Sequence, residues 1–397
     1  MRVLVITDWT ANEGGIEIYV TRVLEGLRAA GDDVRLLTSS AGSAAAGSAD
    51  YVAYGTDRLA AQIALQIVNP FAVARVRAAL REFRPDVVHL NMFEKYLSPA
   101  IVFPLRAVPT VMMVLYSKPI CPTALKMFPD GSLCTEPAGA ICWRGGCVGL
   151  PEWVRDRPRY ALLRAGFAGA DRILACSRWM AEQLAANGIA AEPIALPVPA
   201  PRPGYRRAPA SQPVFVYCGR FNPEKGVDLL LRAFARTRAF HPGARLRIIG
   251  DGLRRQALER LSAELGVGDM VEFVGRLPFE EVEARLADAW ALVAPSLWPE
   301  PLGLVAIEAI TRDVPVIASE SGGFAETVEP GVSGLLFPNG DEGALAECLR
   351  SVADRRAFPT QTLPGPVVRR ARERHDPANH IREIREIFCA ISGSRLR

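Results

Sequence analysis

The sequence predicts an α/β protein with two doubly wound, parallel-sheet domains that face a central cleft. The chain has 397 residues, which is too long for one ordinary hydrophobic core and suits two domains. Short, continuous apolar runs alternate with amphipathic helical segments, which is the pattern of strands buried on both faces of a parallel sheet. A proline-rich connector at 197–213 interrupts this alternation, which then starts again.

The first domain is predicted over residues 1–197. It opens with the apolar run RVLVIT, and a helix follows over 16–30 that Gly31 closes. The later apolar runs are again separated by helical segments, so we expect their strands to lie parallel in one sheet. The predicted strands are 2–7, 33–38, 86–91, 108–116 and 171–177.

The second domain is predicted over residues 198–366. Two α/β domains in series place a cleft at the carboxyl ends of their strands, where such sheets bind ligands. The final segment, 367–397, is basic and helical to about residue 390, and is a candidate to pack back on the first domain. The predicted strands of the second domain are 213–219, 245–252, 271–276, 291–296, 314–319 and 333–338.

Composition and charge exclude several classes of protein. The formal net charge is only +4, which argues against a dedicated nucleic-acid-binding protein. No run approaches the ~20 apolar residues of a membrane span. The opening MRVLVIT has the pattern of a strand and lacks that of a cleaved leader, so the prediction is a cytoplasmic protein.

The segment CGRFNPEKG predicts an anion site in the second domain. A strand ends at Gly219, Arg220 and Lys225 follow on a loop, and a helix begins after Gly226. Two cations and a helix start beyond a strand end suit a diphosphate. Lysine is rare in this chain, since its four lysines are Lys95, Lys118, Lys126 and Lys225. The alternative is a solvated basic loop.

The segment PSLWPEPLGLVAIEAI contributes two carboxylates and a helix start. Glu300 lies between two prolines, and the amides of Gly303, Leu304 and Val305 would begin a helix that can bind phosphate. Glu308 has apolar neighbours, so we expect it to be buried and to accept hydrogen bonds from ligand hydroxyls. The alternative is an ordinary helix-capping carboxylate with a core ion pair.

Two further motifs bear on the kind of ligand. The pair Gly14-Gly15 after the first strand can bring backbone amides close to a phosphate, although a plain tight turn has the same pattern. The G-x-G-x-x-G motif is missing, which disfavours a dinucleotide dehydrogenase. No Asp-x-Asp pair occurs in the sequence, so a divalent metal bridging a diphosphate would lack its usual ligands.

Three segments, GRFNPEKG, EPLGLVAIEA and SGGFAETVEPGVSGLLF, together resemble the family 4 retaining glycosyltransferases of the GT-B fold. The resemblance implies that Arg220 and Lys225 bind the donor diphosphate beside Gly219, and that Glu308 binds the ribose. It further implies that Glu300 contacts the donor sugar, Arg276 and Leu277 border the nucleobase, and Gly15 approaches the phosphates. It implies transfer with retention. With the Asp-x-Asp pair missing, catalysis would be mostly charge stabilisation on the leaving diphosphate and positioning.

The first domain departs from the family pattern at one place. Where the family has a His followed by Asp or Glu near the donor sugar, this chain has Tyr116 and Ser117. The donor is then unusual, or Tyr116 substitutes for the imidazole, or the acceptor side has been rebuilt. His89, at a strand end, is another stand-in on the acceptor side, with a structural strand-terminal histidine as its alternative.

A cysteine-rich insertion is predicted at about 117–150. It holds Cys121, Cys134, Cys142 and Cys147, whereas the other four cysteines are scattered singly. In a reducing compartment such a cluster favours a structural Zn²⁺ site, with disulfides, free thiols or an iron–sulfur cluster as alternatives. We expect the insertion to border the acceptor. The basic, aromatic segment 151–172 that follows would touch an anionic membrane or a lipid phosphate, or is a solvated helix face.

The sequence as a whole predicts a metal-independent, retaining glycosyltransferase. The donor would be a UDP-sugar, with a GDP-sugar as the main competitor. The acceptor would be a lipid-linked or polysaccharide glycan, or a small natural product such as an aminocyclitol. The alternatives are a non-catalytic sugar-nucleotide-binding protein and a phosphorylase of the same fold.

Overall fold

A computed structural model describes residues 1–8, 15–41 and 49–395 of the chain. They form two compact units, described here one at a time. Unit 1 comprises Met1–Pro197 and Pro377–Arg397, and unit 2 comprises Val198–Asp376. Each unit is built on a parallel sheet with helices between its strands, as the alternating pattern predicts. The fold class of two Rossmann-like, doubly wound domains is therefore confirmed.

Unit 1 has a sheet of seven described strands in the order β3-β2-β1-β4-β5-β6-β7. Its central strands are buried along their length, which explains their continuous apolar sequence. The strands are β1 Arg2–Ile6, β2 Asp33–Ser39, β3 Tyr51–Ala53, β4 Val87–Leu90, β5 Thr110–Val114, β6 Arg172–Ala175 and β7 Glu192–Pro193. The helices are α1 Gly15–Ala29, α2 Leu59–Leu65, α3 Pro70–Phe83, α4 Val102–Leu105, α5 Ile141–Arg144, α6 Leu150–Phe167 and α7 Arg178–Ala186, with α15 Pro377–Arg395 at the end of the chain.

Unit 2 has a sheet of six described strands in the order β10-β9-β8-β11-β12-β13. Strand order reverses beside the first strand, as in unit 1, which is the doubly wound arrangement. The strands are β8 Val214–Cys218, β9 Arg245–Ile249, β10 Val271–Gly275, β11 Ala291–Ala294, β12 Val316–Ser319 and β13 Gly334–Phe337. The helices are α8 Val227–Ala235, α9 Arg255–Glu264, α10 Phe279–Leu286, α11 Leu304–Thr311, α12 Phe324–Thr327, α13 Glu342–Ala353 and α14 Gly365–Arg374.

The C-terminal segment differs from the single helical stretch predicted near 367–390. It forms two helices, because Pro377 lacks the N–H that would continue α14. Helix α14 belongs to unit 2, where Arg372 Nε donates to the Thr311 carbonyl at 2.7 Å. Helix α15 belongs to unit 1, where Arg385 pairs with buried Asp32 at 2.9 Å.

Candidate functional site

The topology of unit 2 places its site beside β8 and β11. These neighbouring strands are where the order of the sheet reverses, and ligands of open α/β sheets bind beyond the carboxyl ends of the strands at such a point. The loop after β8 carries Arg220 and Lys225, and the loop after β11 carries Glu300 and Gly303. The sheet therefore brings together two segments that lie about 75 residues apart in sequence.

The loop after β8 is held by backbone contacts. Gly219 N donates to the Ile249 carbonyl at 3.0 Å, and the Tyr217 hydroxyl donates to the Arg220 carbonyl at 2.9 Å. These bonds fix the main chain while the Arg220 side chain remains exposed. At the end of the loop, Gly226 has φ +66°, and a Cβ there would collide with the Pro295 carbonyl of the other loop. Only glycine allows this close approach.

Main-chain and side-chain bonds tie the two loops together. Leu297 N donates to the Glu224 carbonyl at 2.8 Å, beside Lys225. The Leu297 carbonyl in turn accepts from the side-chain amide of Asn339 at 2.7 Å. Lys225 and Glu300 are thus positioned by a common framework within unit 2.

Glu300 is the centre of a compact set of hydrogen bonds. Its Oε1 accepts from Lys225 Nζ at 2.6 Å, from Ser296 Oγ at 2.7 Å and from Trp298 Nε1 at 2.9 Å. The residue is 8% exposed. Burial alone would raise the pKa of Glu300, but the Lys225 ammonium and the other donors outweigh burial and lower it. The side chain is therefore a fixed carboxylate.

Ser296 and Trp298 were not predicted as site residues. Trp298 contributes twice, since Lys225 Nζ also lies 5.2 Å from the centre of its ring. Both residues stand in the segment PSLWPEP, close to Glu300. A polar residue and an indole beside a proline-flanked glutamate are the signal that could have identified them.

The start of α11 closes the site on one side. Gly303 has φ +80°, and a Cβ there would overlap the ring of Phe324. This glycine lets the chain turn directly into the helix, whose first amides have no intrahelical acceptor. Leu304 and Val305, the first helical residues, are half-buried. The positive end of the helix dipole thus lies near Glu300 and Lys225.

Glu308 is half-buried, which corrects the expectation of a buried carboxylate. It lies one turn into α11, on the face of the helix that the buried apolar residues do not occupy. Burial, and then the charge of Glu308, raise the pKa of the Cys218 thiol at the end of β8 to about 12.

The remaining residues expected at the donor side lie farther out. Arg276, which is exposed, and Leu277, which is half-buried, follow the edge strand β10. That strand is two places from β8, or roughly 10 Å across the sheet. In unit 1, Gly15 is the first residue of α1, and Gly14 lies outside the described residues.

Strand order in unit 1 reverses between β1 and β4, and buried polar side chains follow both strands. Asp8, after β1, accepts backbone N–H bonds from Lys95, Tyr96 and Leu97, yet burial raises its pKa to about 7. Glu94, after β4, is also buried. Sequence reasoning missed both, although each is an acidic residue within four residues of the end of an apolar strand.

Tyr116 joins this group from the end of β5. Its hydroxyl donates to Glu94 Oε2 at 2.8 Å, and Arg159 Nη2 donates to the Glu94 carbonyl at 3.0 Å. Burial and then the Glu94 charge raise the pKa of Tyr116, so the phenol stays protonated. Tyr116 is thus placed at the carboxyl edge of the sheet, where its predicted acceptor-side role remains a prediction.

His89 lies in the core. Its side chain is 0% exposed, and its ring lies 5.7 Å from that of Phe388 of α15 and 6.4 Å from that of Tyr19. Neither ring nitrogen has a hydrogen-bond partner among the described residues. Burial lowers the pKa of His89 to about 3. This position corrects the idea of an acceptor-side histidine and matches the structural alternative.

The insertion brings its four cysteines to one small cavity. Cys121, Cys134, Cys142 and Cys147 all line a space of about 10 Å³, and all are free thiols. Within the described ranges, no three His, Cys, Asp or Glu side chains already have the spacing of a bound metal site.

Beside the insertion, a larger groove of about 790 Å³ runs along α6. Its lining combines apolar side chains such as Trp153 and Val154 with the cations Arg157 and Arg164. No single described helix is long and apolar enough to cross a membrane. The bent pair Leu59–Leu65 and Pro70–Phe83 passes that test only when taken together, by length and composition.

Two family models match nearly the whole chain. The model "Glycosyl transferase 4-like domain" matches residues 14–199, and "Glycosyl transferases group 1" matches residues 205–362. Their boundary falls close to the division between the two units.

Named relatives are similar to this chain over different spans. A glycogen synthase from Mycobacterium tuberculosis is 28% identical over 86% of this chain and 83% of its own length. A GDP-mannose-dependent phosphatidylinositol monomannoside mannosyltransferase from Mycolicibacterium smegmatis is 37% identical, over 39% of this chain. The chain spans 42% of the length of that mannosyltransferase.

Solved structures share the fold at low sequence identity. HepE from Anabaena, determined in complex with UDP, superimposes with a TM-score of 0.72 at 18% identity. That match covers 98% of this chain and 100% of HepE. Taken with the two family models, it shows that the chain is a GT-B-fold member of the group 1, family 4-type glycosyltransferases.

Proposed function

We propose that this protein transfers a sugar from a nucleotide diphosphate to a hydroxyl acceptor, with retention at the anomeric carbon and without a catalytic metal. The observation that carries the proposal is the Lys225–Glu300 pair at the start of α11, where the strand order of unit 2 reverses. A cation, a fixed carboxylate and a helix start at this point suit a ligand with a diphosphate at its centre and hydroxyl groups on either side.

The leaving diphosphate would be stabilised by side chains and amides. Lys225 and the exposed Arg220 supply two positive charges, and the amides of Gly303, Leu304 and Val305 supply directed donors. These groups are in place before the bond to the sugar breaks, so they stabilise the charge that develops on the leaving group. That set of donors is why we propose no metal ion for this step.

The two glutamates would bind opposite ends of the donor. All three donors of Glu300 reach Oε1, so Oε2 is the oxygen we assign to a hydroxyl of the transferred sugar. Glu308, one turn into α11, would accept from the ribose hydroxyls. The base would then extend toward Arg276 and Leu277 beyond β10, and Gly15 of unit 1 would approach the phosphates.

We propose UDP as the nucleotide, with GDP as the alternative. HepE, whose fold this chain shares, binds UDP, whereas the mannosyltransferase relative uses GDP-mannose. Thermal unfolding of the protein with each nucleotide in the presence of EDTA tests the choice, because a ligand that binds only the folded state raises the melting temperature. Stabilisation by UDP that Lys225→Ala removes supports the proposal. Stabilisation that requires added magnesium or manganese contradicts metal independence.

For the acceptor, one observation favours a lipid-linked substrate. The groove along α6 offers apolar walls for a lipid chain and two arginines for its phosphate. Binding to vesicles that contain a polyprenyl phosphate, compared with neutral vesicles, tests this choice. We propose that the enzyme works in the cytoplasm at the membrane surface, where reducing conditions would keep its cysteines from forming disulfides. Transfer to a small soluble polyol, with no vesicle binding, would favour the natural-product alternative instead.

The stereochemical outcome and the rival functions are separated by one product analysis. Proton NMR of the product of an α-linked donor shows an α linkage for retention and a β linkage for inversion. Formation of a sugar 1-phosphate that depends on inorganic phosphate would indicate a phosphorylase. Donor binding with neither transfer nor hydrolysis would indicate a non-catalytic binding protein.

A further inference from the structure

We propose that Cys121, Cys134, Cys142 and Cys147 bind one Zn²⁺ as a tetrathiolate, and that the buried ammonium of Lys126 offsets part of its negative charge. The site lies within unit 1 and uses none of the residues assigned to donor binding. It would fix the insertion as a folded structure in a region that is otherwise rich in turns.

A short hairpin brings the first two cysteines together. Met127 pairs with Leu133 in antiparallel fashion, and Cys134 N donates to the Lys126 carbonyl at 2.8 Å. On the other side of the same residue, Lys126 N donates to Cys121 Sγ at 3.4 Å. Cys121 and Cys134, which have twelve residues between them in the chain, therefore both flank Lys126. Backbone N–H bonds to sulfur stabilise a thiolate.

A second turn presents the other two cysteines to this hairpin. Cys142 lies in the short helix α5, and Val148 N donates to the Cys142 carbonyl at 3.1 Å, which folds the chain back at Cys147. Gly145 packs against the ring of Phe128 in the hairpin. A side chain at position 145 would push the turn away, so the glycine allows the two cysteine pairs to approach each other.

The four cysteines line one small cavity, together with neighbours such as Lys126 and Phe128. The cavity they line has a volume of about 10 Å³, which is at the lower limit for a water molecule. The sulfurs do not converge as the ligands of a bound metal do, so binding would require them to move closer together. Zinc binds four thiolates in a closed tetrahedral site.

Lys126 is the observation that points to a bound ion. It is 1% exposed, and its Nζ donates to the Glu136 carbonyl at 2.7 Å. No Asp or Glu side chain among the described residues forms an ion pair with it. A buried ammonium is costly without a nearby negative charge, and neutral thiols provide none. A zinc ion with four thiolates has a net charge of −2, which the ammonium would reduce to −1.

Metal analysis of the purified full-length protein tests the proposal directly. We expect one zinc per chain by inductively coupled plasma mass spectrometry, and four thiols that react with a thiol reagent only after a chelator is added. Replacement of zinc by Co²⁺ should give a sulfur-to-cobalt charge-transfer band and the visible bands of a tetrahedral site. Iron with a visible cluster spectrum, disulfides detected by mass spectrometry, or no metal at all would each overturn the proposal.

Variants separate the ligands from other cysteines. Cys134→Ala should lose the metal, whereas Cys348→Ala and Cys389→Ala, which change cysteines outside the cavity, should keep it. Lys126→Met should retain the site with a zinc affinity lower by about 10- to 100-fold in chelator competition, and Lys95→Met should bind zinc like the wild type. Unchanged affinity in Lys126→Met would refute the role of Lys126, while the metal content of the wild type still decides the site.

Discussion

The Lys225–Glu300 pair should couple the two residues in stability as well as in function. Lys225 Nζ lies 2.6 Å from Glu300 Oε1, and their side chains keep only 18% and 11% of their exposure. At this separation, with an effective dielectric constant of about 20, the attraction is roughly 6 kcal/mol before desolvation is subtracted. Desolvation offsets much of that sum, so we expect a net coupling of about 2–3 kcal/mol.

A double-mutant cycle measures this coupling. Lys225→Met leaves a buried carboxylate with two neutral donors, Ser296 and Trp298, and should lower the free energy of unfolding by about 3 kcal/mol. Glu300→Gln should cost less, and the double variant should be more stable than the sum of the single effects predicts. The assay is urea unfolding, followed by the fluorescence of Trp298 and the other indoles, with the transition of unit 2 fitted separately.

A matched control lies on the surface of the same unit. Arg356 and Glu347 form an ion pair at 2.8 Å, but their side chains are 51% and 59% exposed. Their cycle should give a coupling far smaller than that of the buried pair, and salt should reduce it further. If the effects of Lys225→Met and Glu300→Gln add to within about 0.5 kcal/mol, the two residues are not paired in solution, and the reasoning fails.

Four further predictions follow from the same contacts. The pKa of Glu300 is lowered in the folded state, so its contribution to stability is present above the ordinary glutamate pKa and should be lost as the pH falls through the folded value. The pH dependence of the free energy of unfolding should differ between wild type and Glu300→Gln only in that acidic range. Burial, and then nearby His380, lower the pKa of His89 to about 3, so below pH ~6.5 the unfolded state binds a proton that the folded state does not, and the free energy of unfolding should fall by up to about 1.4 kcal/mol per pH unit. His89→Phe should flatten this slope, and an unchanged slope would contradict the buried neutral ring. Gly303→Ala should destabilise unit 2 by about 1–3 kcal/mol and weaken nucleotide binding in calorimetry, because an alanine there is strained at φ +80° and its Cβ would overlap the Phe324 ring. Gly340→Ala, with φ +77° and open space around it, should show only the backbone strain and bind nucleotide normally. Glu308→Ala should mainly raise the KM for the donor, and Arg220→Ala should mainly lower kcat; equal kinetics of both variants and wild type would refute their assignment.

The fold was predictable because the alternation of continuous apolar runs with amphipathic helical segments carries most of the information. The apolar runs of unit 2 all correspond to strands, yet the runs 213–219 and 291–296 extend past β8 and β11. The last residues of these runs belong to the two loops of the candidate site, where small or apolar residues allow the loops to approach each other closely. The short edge strands β3 and β7 were missed, because two or three residues are too few to form a recognisable apolar run.

The site was predictable where residues lie near each other in sequence. The loop cations and the start of α11 follow from local patterns, but the pairing of Lys225 with Glu300 depends on two strands that meet in the sheet. The surroundings of His89 include Phe388 of α15, which lies near the other end of the chain. Such long-range contacts carry no local signal in a single sequence.

The charge arrangement around Glu300 would allow the proposed site to hold both an ion pair and the diphosphate of a donor. When a phosphate draws the Lys225 ammonium toward itself, Ser296 and Trp298 still donate to Glu300 Oε1, so the carboxylate does not become an unpaired buried charge. The indole of Trp298 lies beside Lys225 Nζ and allows the ammonium to move over its face without losing a favourable contact. Binding of the donor would therefore cost only part of the free energy of the Lys225–Glu300 interaction. The Glu300 carboxylate, which we assign to the sugar, would keep its position while the ammonium moves.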